Sequence, residues 1–217
     1  MSYEFPPAVL FATIVRCRQR EQPPRVDGRL DDWGDEHLLP PLQELADSND
    51  YARLWMAWNR RGLYLALQAP REKRLVGNRQ NPGSADALEL FIDTRAGQTG
   101  HRATQFCHHF WVLPVGGGAD RSRPLIWQEH IRRALRRAPL ADPADLMVAA
   151  HHDGESYGLE VALAADALSG FEPEPGRLIA VAMIVHDVHR GWQSWGTSWE
   201  FPYETDPSTW GLVELVE

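Results

Sequence analysis

Apolar and polar residues alternate along much of this chain with a period of two, the spacing of a strand that buries one of its faces. From Ala52 to Trp58, the side chains Leu54, Met56 and Trp58 fall on one side and Arg53, Trp55 and Ala57 on the other. After Asn59-Arg60-Arg61-Gly62, the run Leu63–Ala69 places Leu63, Leu65 and Leu67 on one face. Two such alternations joined by a short polar turn containing glycine predict a β-hairpin. Asp86–Asp93 alternates Leu88, Leu90 and Ile92 against Glu89, Phe91 and Asp93, and Gln105–Leu113 is aromatic and histidine-bearing, with Phe106, Cys107, His108, His109, Phe110 and Trp111. Leu146–Ala150 and Tyr157–Leu163 flank His151-His152-Asp153-Gly154-Glu155-Ser156, which predicts a second hairpin with Asp-Gly at its tip. Leu178–Val185 is apolar throughout and short, as a strand covered on both faces would be.

Helical signals are few. Ile126–Arg137 spaces Trp127, Ile131 and Leu135 four apart, a pattern that fits a helix or an irregular strand, and Ala164–Leu168 reads as one turn closed by Gly170, Pro173 and Pro175. Segments rich in Gly, Pro and Asp at 68–85, 94–104, 114–124 and 139–145 read as loops. Many short strands separated by turn signals predict an all-β sandwich. No linker or fixed-period repeat divides the chain, so residues 1–217 are expected to form one domain, with 1–20 as an N-terminal strand or extension.

Composition narrows what such a sandwich could bind. The 217 residues carry 22 basic and 30 acidic side chains, a net charge of −8. That field repels phosphate backbones, so nucleic acid is not expected as a ligand. Lys73 is the sole lysine. Yet Arg121, Arg123, Arg132, Arg133, Arg136 and Arg137 cluster in one stretch, which fits either an anionic partner such as a sulfated glycan or a solvated charged face. No apolar run approaches the roughly 18 residues of a membrane helix, so no membrane partner is expected. The start of the chain lacks a basic n-region, and Ala8–Val15 runs into Arg16 and Arg18 rather than a small-residue cleavage site. The expected location is cytoplasmic as the sequence stands, and secreted or periplasmic if a leader has been trimmed. Cys17 and Cys107 could form one bridge at most, and the oligomeric state is open.

Motif chemistry is sparse. The pairs His108-His109 and His151-His152 and the segment His186-Asp187-Val188-His189 invite a zinc or copper site. Neighbouring histidines on a strand point to opposite faces, so each pair offers one ligand to any site, and no helical His-Glu-x-x-His or Cys-x-x-Cys spacing occurs. A site joining Cys107, His109 and a distant histidine is the sharp alternative to solvated hairpin histidines. There is no Gly-x-Ser-x-Gly elbow, no P-loop and no Gly-x-Gly-x-x-Gly, and Gly116-Gly117-Gly118 lacks the Lys and Ser/Thr of a phosphate cradle, so no enzyme activity is expected. Nine tryptophans remain, three of them in Trp192-Gln193-Ser194-Trp195-Gly196-Thr197-Ser198-Trp199. Indoles stack on sugar rings because C–H groups meet the π face while the N–H seeks a polar partner; three in a Gly/Ser-rich segment could line a groove or cap the sandwich. Trp33, Trp55, Trp58, Trp111 and Trp210 read as structural, with Trp55 and Trp111 the two that could face outward.

Five segments, in order, resemble one family. Val26-Asp27-Gly28-Arg29-Leu30-Asp31-Asp32-Trp33 resembles the opening (I/V)DG-x-(L/I)D-x-x-W of family 9 carbohydrate-binding modules and their DOMON-like relatives. The hairpin Ala52–Ala69, the strand Asp86-Ala87-Leu88-Glu89-Leu90-Phe91-Ile92-Asp93, the segment Tyr157–Leu163 and the closing Asp206-Pro207-Ser208-Thr209-Trp210-Gly211 match their later motifs. The resemblance spans about residues 20–217 and implies an immunoglobulin-like or jelly-roll sandwich of two antiparallel sheets. It also implies a non-catalytic module that binds a saccharide by aromatic stacking and hydrogen bonds.

Members of that family that bind sugar clamp it between two tryptophans. The matching positions here are Gly83 and Glu204. Glu89 matches the acidic strand residue that bonds sugar hydroxyls, whereas Cys107, His109 and Ile184 stand where Arg, Asn and Gln are expected. The expected saccharide site is therefore Glu89 and His109 with a platform drawn from Trp192, Trp195, Trp199 and Tyr203. No cofactor is expected, with a structural calcium left open. The alternatives are a protein-interaction or structural sandwich without a sugar clamp, and a haem or metal module using Met183 and His109.

Overall fold

The computed structural model describes residues 14–41, 51–98 and 100–217; most of the Ala8–Val15 run lies outside them. Eleven strands and a few single 3₁₀ turns make up the described residues, and no α-helix occurs among them. The strands are β1 Val15–Arg18, β2 Arg53–Asn59, β3 Gly62–Pro70, β4 Ala87–Asp93, β5 Cys107–Gly117, β6 Arg123–Glu129, β7 Leu146–His152, β8 Ser156–Ala164, β9 Leu178–Asp187, β10 Gly191–Trp195 and β11 Gly211–Val216. They form two sheets. The smaller runs β2-β3-β8-β7, antiparallel throughout. The larger runs β1-β11-β9-β4-β5-β6 with β10 also on β9, and is antiparallel except for the pair β1 and β11.

Both predicted hairpins form, β2 with β3 and β7 with β8. The ambiguous Ile126–Arg137 segment resolves as a strand: Trp111 pairs with Trp127 and His109 with Glu129, so β6 extends the sheet until chain pairing stops at Glu129. Tertiary pairing overrides the weak fourfold spacing there. Strand β9 is the hub. One edge pairs with β4, while the other pairs with β11 at its start and β10 at its end.

The alternation read from the sequence becomes the core. Leu54, Met56, Trp58, Leu63, Leu65 and Leu67 of the small sheet face Leu88, Leu90, Ile92, Phe110 and Val112 of the large one. Val181, Met183 and Val185 of β9 complete that layer. The adjacent histidines of β5 part as strand geometry requires. His108 turns into the interior, where burial lowers its imidazole pKa to about 4, and His109 turns outward. Cys17 and Cys107 are both free, one in the core and one on the outer face of the large sheet, so the bridge left open by the sequence does not form.

The outer face of the small sheet is covered by the segment leading from β1. Trp33, Val26, Leu30 and Leu38 pack there on Trp55, Ala57, Tyr64, Ala66 and Ala162. One carboxylate ties the cover down: Glu160 of β8 accepts from Asp27 N–H (2.9 Å), Gly28 N–H (2.6 Å) and the Trp33 indole N–H (2.7 Å). Gly28 has φ +82° and runs against the backbone of Ala150 and His151, a close approach that no side chain would tolerate. The Asp-Gly…Trp motif and the glutamate of the Tyr157 segment are thus two halves of one contact.

Candidate functional site

The outer face of the large sheet is built differently. Its lower half is roofed by the loops around Ala103, Ile131 and Tyr203, which pack with Trp210 on Phe91, Ala180 and Ala182. Near its upper end, Ala85 and Ala87 pack with Trp111, Leu113 and the half-buried Leu125 and Trp127. Between these patches, strands β4, β5 and β9 place Glu89, His109 and His186 together.

Register explains the grouping. Glu89 lies directly beside Trp111 on β5 and Ile184 on β9, Phe91 beside His109, and Ala87 beside His186. The two histidines are therefore the diagonal neighbours of Glu89, one to each side and in opposite directions along the sheet, within reach of long side chains. His109 Nε2 lies 2.9 Å from Glu89 Oε1, and His186 Nε2 lies 3.2 Å from Oε2. With each of those nitrogens protonated, both imidazoles donate to the one carboxylate. Burial pushes the Glu89 carboxyl up, but the bonds and charge of the two imidazoles outweigh it and hold the group below its ordinary value.

Rings surround this pair of bonds. His109 stacks on Phe91 at 4.2 Å between centroids with the planes 5° apart. Trp111 lies against both imidazoles, 5.6 Å from His109 and 5.3 Å from His186. Trp192 stands beyond His186 at 5.7 Å and is 62% exposed. On the far side, Trp127 carries the Arg79 guanidinium 5.6 Å from its ring centre and donates its indole N–H to Glu129 at 2.8 Å.

Of the six residues expected to form the site, Glu89, His109 and Trp192 share this face and one chain of contacts. Glu89 is 4% exposed, so it acts beneath the imidazoles rather than at the surface. Trp195 does not join them. It alternates with Trp192 along β10, is 4% exposed in the core and donates to the Pro40 carbonyl at 3.0 Å. Tyr203 is also buried, edge-on to Phe91 at 5.7 Å, and so serves as a wall rather than an open platform. Trp199 is 71% exposed in the loop after β10. Two residues of the face, His186 and Trp127, have no assigned place in the sequence reading, and Trp111 takes the outward orientation left open there. His186 was visible only as part of a histidine cluster, because its role depends on the pairing of β4 with β9.

A haem held by Met183 and His109 does not fit this face. No cluster of three or more His, Cys, Asp or Glu placed to hold a metal ion occurs among the described residues. Met183 points into the core while His109 points out, so the two cannot flank one iron.

The geometry defines an all-β sandwich with a half-roofed aromatic face. No family model matches the sequence, and no curated protein matches it. Solved structures do match. A family 9 carbohydrate-binding module from Caldicellulosiruptor kristjanssonii in complex with cellotriose aligns at TM-score 0.67 and 15% identity, covering 94% of both chains. The glucose complex aligns at TM-score 0.67 and 16% identity, covering 92% of this chain and 95% of that one. A candidate carbohydrate-binding protein from Bacteroides uniformis aligns at TM-score 0.57 and 15% identity, covering 93% and 97%. The chain therefore has the fold of family 9 carbohydrate-binding modules, as its motifs implied. At these identities the likeness is one of fold.

Proposed function

We propose that this chain is a non-catalytic saccharide-binding module whose site is the outer face of the large sheet. The observation that carries the reading is Trp192, a largely exposed indole that adjoins an imidazole fixed by a buried carboxylate. A sugar ring laid on the indole gains stacking contact, and its hydroxyls meet the edge of His109, the partly exposed imidazole of the two. Glu89 positions that edge. By holding both Nε2 atoms it removes the freedom that each ring would otherwise lose on binding, which supports affinity without adding contact area. The fold shared with modules solved in complex with cellotriose and glucose supports the same reading.

A second reading, a protein-docking face on the same sheet, draws on Gly83 and Glu204, which leave both expected clamp positions without a ring. Calorimetric titration separates the two. Cellotriose is expected to bind the wild type, and Trp192→Ala to weaken it by about tenfold, roughly the 1.4 kcal/mol of one good ring contact. Absence of heat with cellotriose, glucose and a wider glycan set at millimolar concentration would favour protein docking.

A further inference from the structure

The loops that roof the lower half of the face enclose a groove that the stacking site does not use. It has a volume of about 200 Å³ and is lined by His101, Arg102, Arg133, Pro202, Thr205 and Asp206. One of its two guanidinium groups is tied to the backbone of the other arginine. Arg102 Nε donates to the Arg133 carbonyl at 2.8 Å, and Arg133 adopts φ +58°, the left-handed region that a residue with a Cβ occupies only when its surroundings impose it. A second tie, Leu135 N–H to the Ala103 carbonyl at 2.8 Å, fixes the same loop to the roof.

Like most arginines among the described residues, this pair has no carboxylate partner, and here the two line one groove. In a chain of net charge −8, Arg20, Arg25, Arg53, Arg95, Arg177 and Arg190 each meet a carboxylate. Arg102 and Arg133 take part in none of the ion pairs among the described residues. The one carboxylate in the groove, Asp206, is engaged by its own loop and by His101: it accepts from Ser208 N–H at 3.0 Å and Ser208 O–H at 2.6 Å, with His101 Nδ1 at 3.1 Å. Planar guanidinium groups with spare N–H donors bind carboxylate or sulfate through paired bonds.

We propose that this groove is an anion subsite, and that the ligand of the module is an acidic oligosaccharide. The inference rests on the saccharide reading above and names its substrate class. Its neutral unit lies at Trp192 and His186, and a carboxylate or sulfate further along the chain enters between Arg102 and Arg133. Spacing demands more than one sugar. Ala182, beneath the roof, lies four residues down β9 from His186, about 13 Å at the rise of a strand.

Calorimetry at low salt with cellotriose, a trisaccharide of uronic acids and a sulfated trisaccharide tests this, and the two acidic ligands tell carboxylate from sulfate. At least one of them is expected to bind the wild type about tenfold more tightly than cellotriose, and to lose that margin as salt screens the exposed arginines. Arg133→Gly keeps the left-handed backbone and removes the charge, so it is expected to erase the margin while leaving cellotriose affinity unchanged. Arg102→Gln provides a second variant with the same expectation. Cellotriose binding with no acidic preference, or a preference that survives both variants, overturns the anion subsite alone. Silence with cellotriose beside arginine-dependent binding of an acidic trisaccharide overturns the Trp192 site alone. Silence with all three overturns both.

Discussion

Each sheet buries one glutamate on its outer face, and the two are secured by different kinds of donor. Glu160 is held by two backbone N–H groups and an indole N–H from a segment that seals the small sheet. Glu89 is held by two imidazoles on strands of its own sheet, and the indole beyond them stays exposed. The first arrangement fixes a cover. The second leaves the upper part of its face with a polar, aromatic surface whose side chains are oriented but not sealed. Under the proposed function, the difference separates a structural face from the ligand-binding one.

Breaking the first contact is expected to have the largest effect. Glu160→Ala strands two buried donors and a half-buried third, and should cost about 3 kcal/mol in urea unfolding, with cellotriose affinity of the surviving folded protein unchanged. Glu89→Gln should cost less stability, about 1 kcal/mol, because the amide keeps one oxygen to accept from an imidazole. It should weaken cellotriose binding along with stability, and that combination separates the two carboxylates.

Acid sharpens the contrast. Burial holds the Glu160 carboxyl above its ordinary 4.5 despite the donors on it, so the folded state binds that proton first. Its share of stability is present below 4.5 and is lost as pH rises through the raised value. Glu89 behaves in the opposite sense: burial raises it, the two imidazoles lower it further, and its share is present above 4.5 and lost as pH falls through the lowered value. Buried His108 adds a loss as pH falls from 6.5 to about 4. Urea midpoints measured through the acid range should therefore fall more steeply in Glu160→Gln than in the wild type, and less steeply in Glu89→Gln.

The smallest expected effect comes from adding a ring. A side chain at Gly83 meets no atom within 4 Å of its Cβ, so Gly83→Trp has open space at the position where the family resemblance places a stacking ring. It should tighten cellotriose binding by about threefold without a change in unfolding midpoint.

The strands of the sandwich were legible because their alternation carries its own test: Leu54 and Met56, like Leu88 and Leu90, had to face one way. Strand β10 was not, because Trp192 and Trp195 read as one cluster when three-residue spacing on a strand sends them to opposite faces. Of the candidate face, Glu89, His109 and Trp192 were legible. His186 was not, since it reaches Glu89 only through a diagonal across β4 and β9, 97 residues away in sequence. Local pattern fixes which face a residue takes, whereas the diagonal partner depends on long-range register.

The central claim is that the imidazole-bearing face, and not the covered one, meets the sugar. Indole N–H resonances followed during a cellotriose titration test it most directly, since every tryptophan reports its own surroundings. Trp192 and Trp111 are expected to shift and saturate together while Trp33 and Trp55 stay fixed. Shifts confined to Trp33 and Trp55, or no shift at any indole up to millimolar sugar, would contradict it.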